Sequence, residues 1–191
     1  MLKLILYIEI ELYMVQSQSH GFQWENIIRA LCFGIPSESN NTDTHDIPSE
    51  KNKFDSNENI SIKSTGNLTI DCGDILRFFN YNMKKKNTII CVKYEQIQDT
   101  KVIKKIYEIN YNEEMHNYLF GTITKEELME YVNFIKSIKS GKCDKETSEK
   151  YISETERLQK NHNMKINISP KVDSKSQRRV QCSIPKFDNN L

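Results

Sequence analysis

Apolar residues recur along this chain with two periods, near 3.6 in some stretches and two in others, and the changes of period mark the elements. Residues 21–33 (GFQWENIIRALCF) predict a first helix, with Phe22, Ile27 and Leu31 packing and Trp24 and Ile28 beside them, ended by Gly34 and Pro36. After the polar loop 37–45, residues 46–53 and 59–65 predict two strands joined by a turn rich in Asp and Asn; Gly66 and Asn67 break the second. Residues 72–81 (CGDILRFFNY) predict a short helix packing Ile75, Leu76, Phe78 and Phe79. The run 88–94 (TIICVKY) is nearly continuous in apolar residues, as expected of a central strand covered on both faces. A further strand is predicted over 101–111, with Ile103, Tyr107, Ile109 and Tyr111 on one face. Thr124 and Glu127 have the spacing of a capping box, and Leu128, Tyr131, Val132, Ile135 and Ile138 follow as an apolar stripe up to Gly141. A more polar helix over 145–161 and strands over 164–168 and 180–184 complete the pattern, which is that of an α/β (α+β) chain.

The 191 residues suffice for one domain with a sizeable core, and 37% hydrophobic with 28% charged residues describes neither a disordered nor a membrane chain. Residues 2–13 (LKLILYIEIELY) are too short to span a bilayer and carry Lys3, Glu9 and Glu11. They read as a strand or helix, or as an upstream extension, Met14 being an equally plausible start. The expected organisation is an added N-terminal element over 1–18 and one domain over 19–191, with no linker or repeat inside it. The cysteines at 32, 72, 91, 143 and 182 are odd in number and form no CxxC pair. A disulfide framework or thiolate zinc site is therefore not expected, and the chain is expected in a reducing compartment, the cytoplasm or nucleus of a host cell, and not secreted.

A net charge of +1 conceals an asymmetry. Residues 157–191 hold eight Lys or Arg against two Asp, a formal +6, and the preceding 156 residues hold 19 basic against 24 acidic residues, a formal −5. A basic end on an otherwise slightly acidic chain is a candidate polyanion contact, with nucleic acid as the expected partner. Within it, Lys171, Lys175, Arg178 and Arg179 offer charge to phosphates, while Ser176, Gln177, Arg178 and Gln181 have the chemistry to read base edges. The alternative is a solvated basic loop.

Chemistry is suggested by Asp46 in THDIP and Lys63 in NISIK. Alternation in 59–63 turns Ile60 and Ile62 to the core, so Asn59, Ser61 and Lys63 share the opposite face. Hydrolysis of a phosphodiester with Mg²⁺ needs hard oxygen ligands, and one or two carboxylates suffice because the ion keeps several waters. Asp46 fits the ligand role, and Lys63 that of orienting the water or stabilising developing charge. The ordinary alternatives are a turn-capping Asp46 and a solvated Lys63.

Here the chain resembles the PD-(D/E)XK nucleases, in particular the type II restriction endonuclease-like proteins of large DNA viruses and bacteria. The matching residues are Glu25 in GFQWENI, Asp46 in THDIP and Ser61-Ile62-Lys63, and the resemblance covers most of residues 19–184. It implies a mixed central β-sheet flanked by helices and a magnesium-dependent, site-specific endonuclease acting on double-stranded DNA, expected as a homodimer if the site is palindromic. Glu25 and Asp46, with the Ile62 carbonyl, would hold the metal, and Lys63 would assist the water. Ser61 departs from the pattern: it stands where the family has an acid, and Glu25 is the expected replacement. A DNA-binding protein of the same fold without catalysis, or a structural or partner-binding domain, are the competing readings.

The remaining motifs change little. His20, His45, His116 and His162 lack zinc-ligand spacing, although His45 adjoins Asp46. Asp74 and Arg77 suggest a helix-surface pair, and no phosphate-binding glycine loop or GxSxG is present.

Overall fold

The computed structural model describes residues 22–35, 44–98, 100–139, 143–172 and 179–185. The 2–13 run and the 37–43 loop lie outside them. The chain is α+β, with helices, a mixed three-stranded sheet and an antiparallel three-stranded sheet. It divides into two compact units, residues 1–68 with 82–111, and residues 69–81 with 112–191.

The first unit carries helix α1 (Phe22–Phe33), strand β1 (Glu58–Thr65), strand β3 (Lys86–Ile97) and strand β4 (Thr100–Asn110), in the sheet order β1-β3-β4. β1 runs parallel to β3, and β3 antiparallel to β4. β3 is the expected central strand: Thr88, Ile89, Ile90, Cys91 and Val92 are all buried. α1 lies on one sheet face, where Ile28, Cys32 and Phe33 pack with Ile47, Ile60, Ile62, Ile90 and Val92. The packed stripe is thus Trp24, Ile28, Leu31 and Cys32, and not one centred on Ile27, because spacings of three and four from Ile28 collect the residues that reach the sheet. Gly34 ends the helix with φ +68° as its N–H and that of Ile35 bond back to Ala30 and Arg29.

Two sequence expectations fail in this unit. Residues 46–53 form no strand: a single antiparallel bridge joins Ile47 to Ile60, after which Pro48, lacking an N–H, leads into a 3₁₀ turn at Ser49–Lys51. The face expected for Ile103, Tyr107, Ile109 and Tyr111 is also broken. The pairing slips between Lys93 and Tyr94, so Lys104 is an extra residue and Ile103 joins Ile106 on the α1 side.

The second unit holds strand β2 (Ile70–Asp74), helix α2 (Ile75–Phe79), helix α3 (Glu113–Phe120), helix α4 (Lys125–Ser137), helix α5 (Lys145–Asn161), strand β5 (Asn167–Lys171) and strand β6 (Arg179–Ile184). The sheet order is β2-β6-β5, all antiparallel. The helix expected over 72–81 is strand first and helix after, because the Asp74 carboxylate accepts the Arg77 N–H and sets the helix start there. Asp74 and Arg77 are accordingly a cap and not a side-chain ion pair. The strand expected over 164–168 begins at Asn167, since Lys165 and Ile166 donate their N–H groups to the Leu119 carbonyl instead of entering a ladder.

α4 starts on the predicted capping box, with Thr124 and Glu127 exchanging bonds, and buries Leu128, Tyr131, Val132 and Ile135. α5 has the predicted bounds. α3 escaped the pattern, although Asn112 caps it and Gly121 stops it with φ +62°. The five cysteines are free thiols. Cys182, beside Cys72 across β2 and β6, has its thiol pushed up by the Cys72 hydrogen bond and by burial, the condition of an inert sulfur.

Candidate active site

The pairing of β1 prepares one carboxylate position. β1 is the outer strand of its sheet, and Ile47 bridges its free edge through Ile47 N–H to Ile60 O (2.9 Å) and Ile60 N–H to Ile47 O (2.8 Å). In a parallel strand the N–H and C=O of one residue point to the same side and alternate along the chain, so Ile60 and Ile62 both address this edge while Ser61 and Lys63 address β3. A continued strand would bring a backbone acceptor to Ile62. The Asp46 carboxylate takes that place instead, its Oδ2 accepting the Ile62 N–H at 2.5 Å.

Two further charged side chains reach Asp46, and a third backs one of them. Lys63 Nζ lies 3.4 Å from Asp46 Oδ2. Glu25, from the first turn of α1, is hydrogen-bonded to Asp46 through its side chain, and Arg29, one helical turn on, places Nη1 3.5 Å from Glu25 Oε1. Burial first, then the Asp46 charge, push the Glu25 carboxyl above its ordinary value, against the opposing pull of Lys63 and Arg29. Sequence positions 25, 46 and 63 therefore meet at one sheet edge.

The Ser61 side of β1 is less open than alternation alone suggests. Ser61 is 2% exposed, with its Oγ 3.3 Å from His45 Nδ1. Asn59 is buried as well, accepting the Ser49 N–H and bonding Asn87. The 44–52 segment thus folds polar groups over this face, and a free catalytic surface at Ser61 is replaced by a buried contact with His45. Desolvation lowers the His45 pKa against the Asp46 charge, which favours a neutral imidazole.

Whether magnesium suits these residues turns on the spacing of the charges. A close ammonium–carboxylate or guanidinium–carboxylate contact is about 2.8 Å; here both cations stand off, at 3.4 and 3.5 Å. Two carboxylates held together with long counter-contacts, one of them raised by burial and then by the other's charge, form a donor set that a hard dication suits, and the Ile62 carbonyl faces the same edge. Among the described residues no group of three or more His, Cys, Asp and Glu side chains is arranged around a metal, so any ion here would rest on two carboxylates, one carbonyl and water.

Arg29 is the residue that sequence reasoning passed over. It is 1% exposed, and its Nε has no hydrogen-bond partner among the described residues. Its signal was the four-residue spacing from Glu25, common on any helix surface.

Of the proposed DNA-contact residues, Lys171 and Arg179 are a cross-strand pair at the end of the β5–β6 hairpin, and Gln181 pairs with Ser169 and Asp74 on β6. Lys175, Ser176, Gln177 and Arg178 lie outside the described residues. No described helix is long and apolar enough to cross a membrane. Comparisons with protein-family models, with curated proteins and with solved structures find no match to this chain.

Proposed function

We propose that this protein is a metal-dependent endonuclease of the PD-(D/E)XK, type II restriction kind, hydrolysing phosphodiester bonds of double-stranded DNA. The observation that carries the reading is the meeting of Glu25, Asp46 and Lys63 at the β1 edge, from three separate segments. Glu25 and Asp46, with the Ile62 carbonyl, would hold Mg²⁺. Such an ion lowers the pKa of an attacking water and offsets charge on the phosphate.

The chain's own groups have separate tasks in this proposal. The Ile62 N–H fixes the Asp46 carboxylate through Oδ2. Lys63 Nζ orients the water and stabilises charge developing on the phosphate oxygens. Arg29 balances Glu25 from within the helix. The hairpin ending in Lys171 and Arg179, with the 173–178 segment, would contact DNA, and a palindromic site would call for a homodimer.

A second reading, DNA binding without catalysis, is favoured by Ser61, which puts a hydroxyl against His45 where the family pattern has an acid. Incubation of the pure protein with plasmid DNA and Mg²⁺ separates the two. Discrete fragments that EDTA abolishes support the nuclease; retardation of the DNA without cutting supports the second reading.

A further inference from the structure

Three side chains of β1 hold the segment that carries Asp46. Ile60 and Ile62 pack toward α1, so Asn59, Ser61 and Lys63 face the other way. Lys63 Nζ stands 3.4 Å from Asp46 and Ser61 Oγ 3.3 Å from His45, both long contacts. Asn59 makes the close one, its Oδ1 accepting the Ser49 N–H at 2.9 Å.

Asn59 is itself fixed from behind. Its Nδ2 donates at 3.2 Å to Oδ1 of Asn87, its partner across β1 and β3. Asn87 Nδ2 donates to the carbonyls of Asn82 (3.0 Å) and Lys85 (3.1 Å), and Lys85 Nζ returns to Ser49 Oγ at 2.5 Å. Ser49, Asn59, Asn87 and Lys85 thus close a ring of hydrogen bonds. Both amide oxygens accept and both amide nitrogens donate, so neither amide can turn over without losing bonds. Ser49, Asn59 and Asn87 are buried, and a satisfied buried network of this kind specifies one arrangement.

The ring lies one proline away from the charged site. Pro48 is extended (φ −69°, ψ 153°), and its pyrrolidine removes a soft torsion between Ile47 and Ser49. The span is pinned along its length: Asp46 on the Ile62 N–H, Ile47 in its bridge to Ile60, and Ser49 on Asn59. Releasing Ser49 frees one end of this stiff span, and the carboxylate at the other end loses its fixed direction.

We infer that Asn59 is a positioning residue for Asp46: by fixing the Ser49 N–H it sets where the carboxylate lies, and so the geometry offered to a metal ion. The metal rests on the nuclease reading; the placing of Asp46 does not.

The test is backbone amide hydrogen exchange, followed by NMR on the full chain in EDTA. The Ile62 N–H, bonded to Asp46, reports the placement of the carboxylate, and the buried Val92 in β3 reports the fold. Ser49→Pro deletes the N–H at a site suited to proline, because Pro48 is already extended and Ser49 opens the 3₁₀ turn. Ser49→Ala removes the hydroxyl alone. Relative to Val92, Ile62 should exchange about tenfold faster in S49P than in S49A, and about tenfold faster in Asn59→Leu than in wild type. Thr88→Val breaks a buried 2.6 Å bond to Glu58 outside the ring, so it should lower the melting temperature and leave the ratio unchanged. In plasmid digests the Mg²⁺ concentration for half-maximal cutting should rise about ten- to hundredfold in N59L and S49P. An unchanged Ile62 ratio in S49P and N59L, an equal change in T88V, loss of folding in both ring variants, or an unchanged Mg²⁺ requirement in a protein that cuts overturns the inference. If the ratios behave as expected and wild-type protein leaves plasmid uncut in Mg²⁺, Asn59 still positions Asp46 and the nuclease reading falls.

Discussion

Asp46→Asn separates the carboxylate's part in the fold from its part in chemistry. The asparagine side chain keeps a carbonyl oxygen that can accept the Ile62 N–H, so the edge of β1 stays closed. What is lost is the charge: the Ile62 bond becomes a neutral one, worth about 1 kcal/mol less, and the Lys63 contact disappears. With the Lys63 and Asp46 side chains 27% and 17% exposed, that contact is worth about 1 kcal/mol or less. Relief of Glu25 from the Asp46 charge works the other way. The net cost is about 1 kcal/mol, a fall in melting temperature of roughly 2–4 °C for a chain of this size. Asp46→Ala removes the acceptor too, and leaving the Ile62 N–H unpaired adds about 1–3 kcal/mol. Cutting of plasmid in Mg²⁺ should fall by at least about a hundredfold in both variants. Thermal melts followed by circular dichroism, together with timed plasmid digests, supply the two readouts. Wild-type cutting by Asp46→Asn would refute the assignment, and equal melting temperatures for the two variants would refute the role given to the Ile62 bond.

Glu25→Gln should remove cutting while the protein still binds DNA. Because the folded carboxyl of Glu25 lies above 4.5, ionising it opposes folding: stability falls as pH rises from 4.5 through the raised value, a slope that urea titrations should lose in Glu25→Gln, and wild-type cutting should rise with pH over the same window. Gly121→Ala should cost at least about 3 kcal/mol, since a Cβ there would stand 1.8 Å from the His162 carbonyl oxygen at φ +62° and would displace the Thr122 N–H bond to it; an unchanged denaturation midpoint would contradict the geometry. Tyr131→Phe should cost about 1 kcal/mol through loss of the 2.6 Å bond to Thr155 and delete a phenol pushed up to about 12, seen as one fewer tyrosine ionising at the alkaline end of an ultraviolet titration. At the basic end, Lys171→Ala should weaken binding to all duplexes alike and lower the salt slope by about one, whereas Gln177→Ala or Arg178→Ala should cost about 1–3 kcal/mol on the preferred site and relax discrimination there; four unchanged titrations, with Lys175→Ala as the fourth, would leave this segment a solvated loop.

How far the chain can be read before folding depends on whether the signal is local. The capping box at Thr124, the polar helix from Lys145 to Asn161 and the apolar β3 core are written in adjacent residues and appear as read. The extra residue at Lys104 is not: it depends on how β4 lies against β3, and one inserted residue moves Ile103 to the opposite face from the one its spacing assigns. The strand expected after Asp46 shows the same limit in a more useful form. Only one bridge forms, Ile47 to Ile60; the antiparallel register would set residue 45 opposite Ile62, the chain leaves the ladder before that pairing, and the Asp46 side chain holds the Ile62 N–H instead. A carboxylate that replaces a backbone acceptor is held in place at the sheet edge, and the same edge receives Glu25 from α1 and Lys63 from β1. The buried Ser61–His45 contact belongs to that packing, and so does Arg29, whose Nε has no partner among the described residues and whose spacing from Glu25 is common on any helix surface. The end of the ladder on the N-terminal side of Ile47 and the assembly of the charged site are one structural event, because the Ile62 N–H left at the β1 edge is taken by the acid that precedes the bridge.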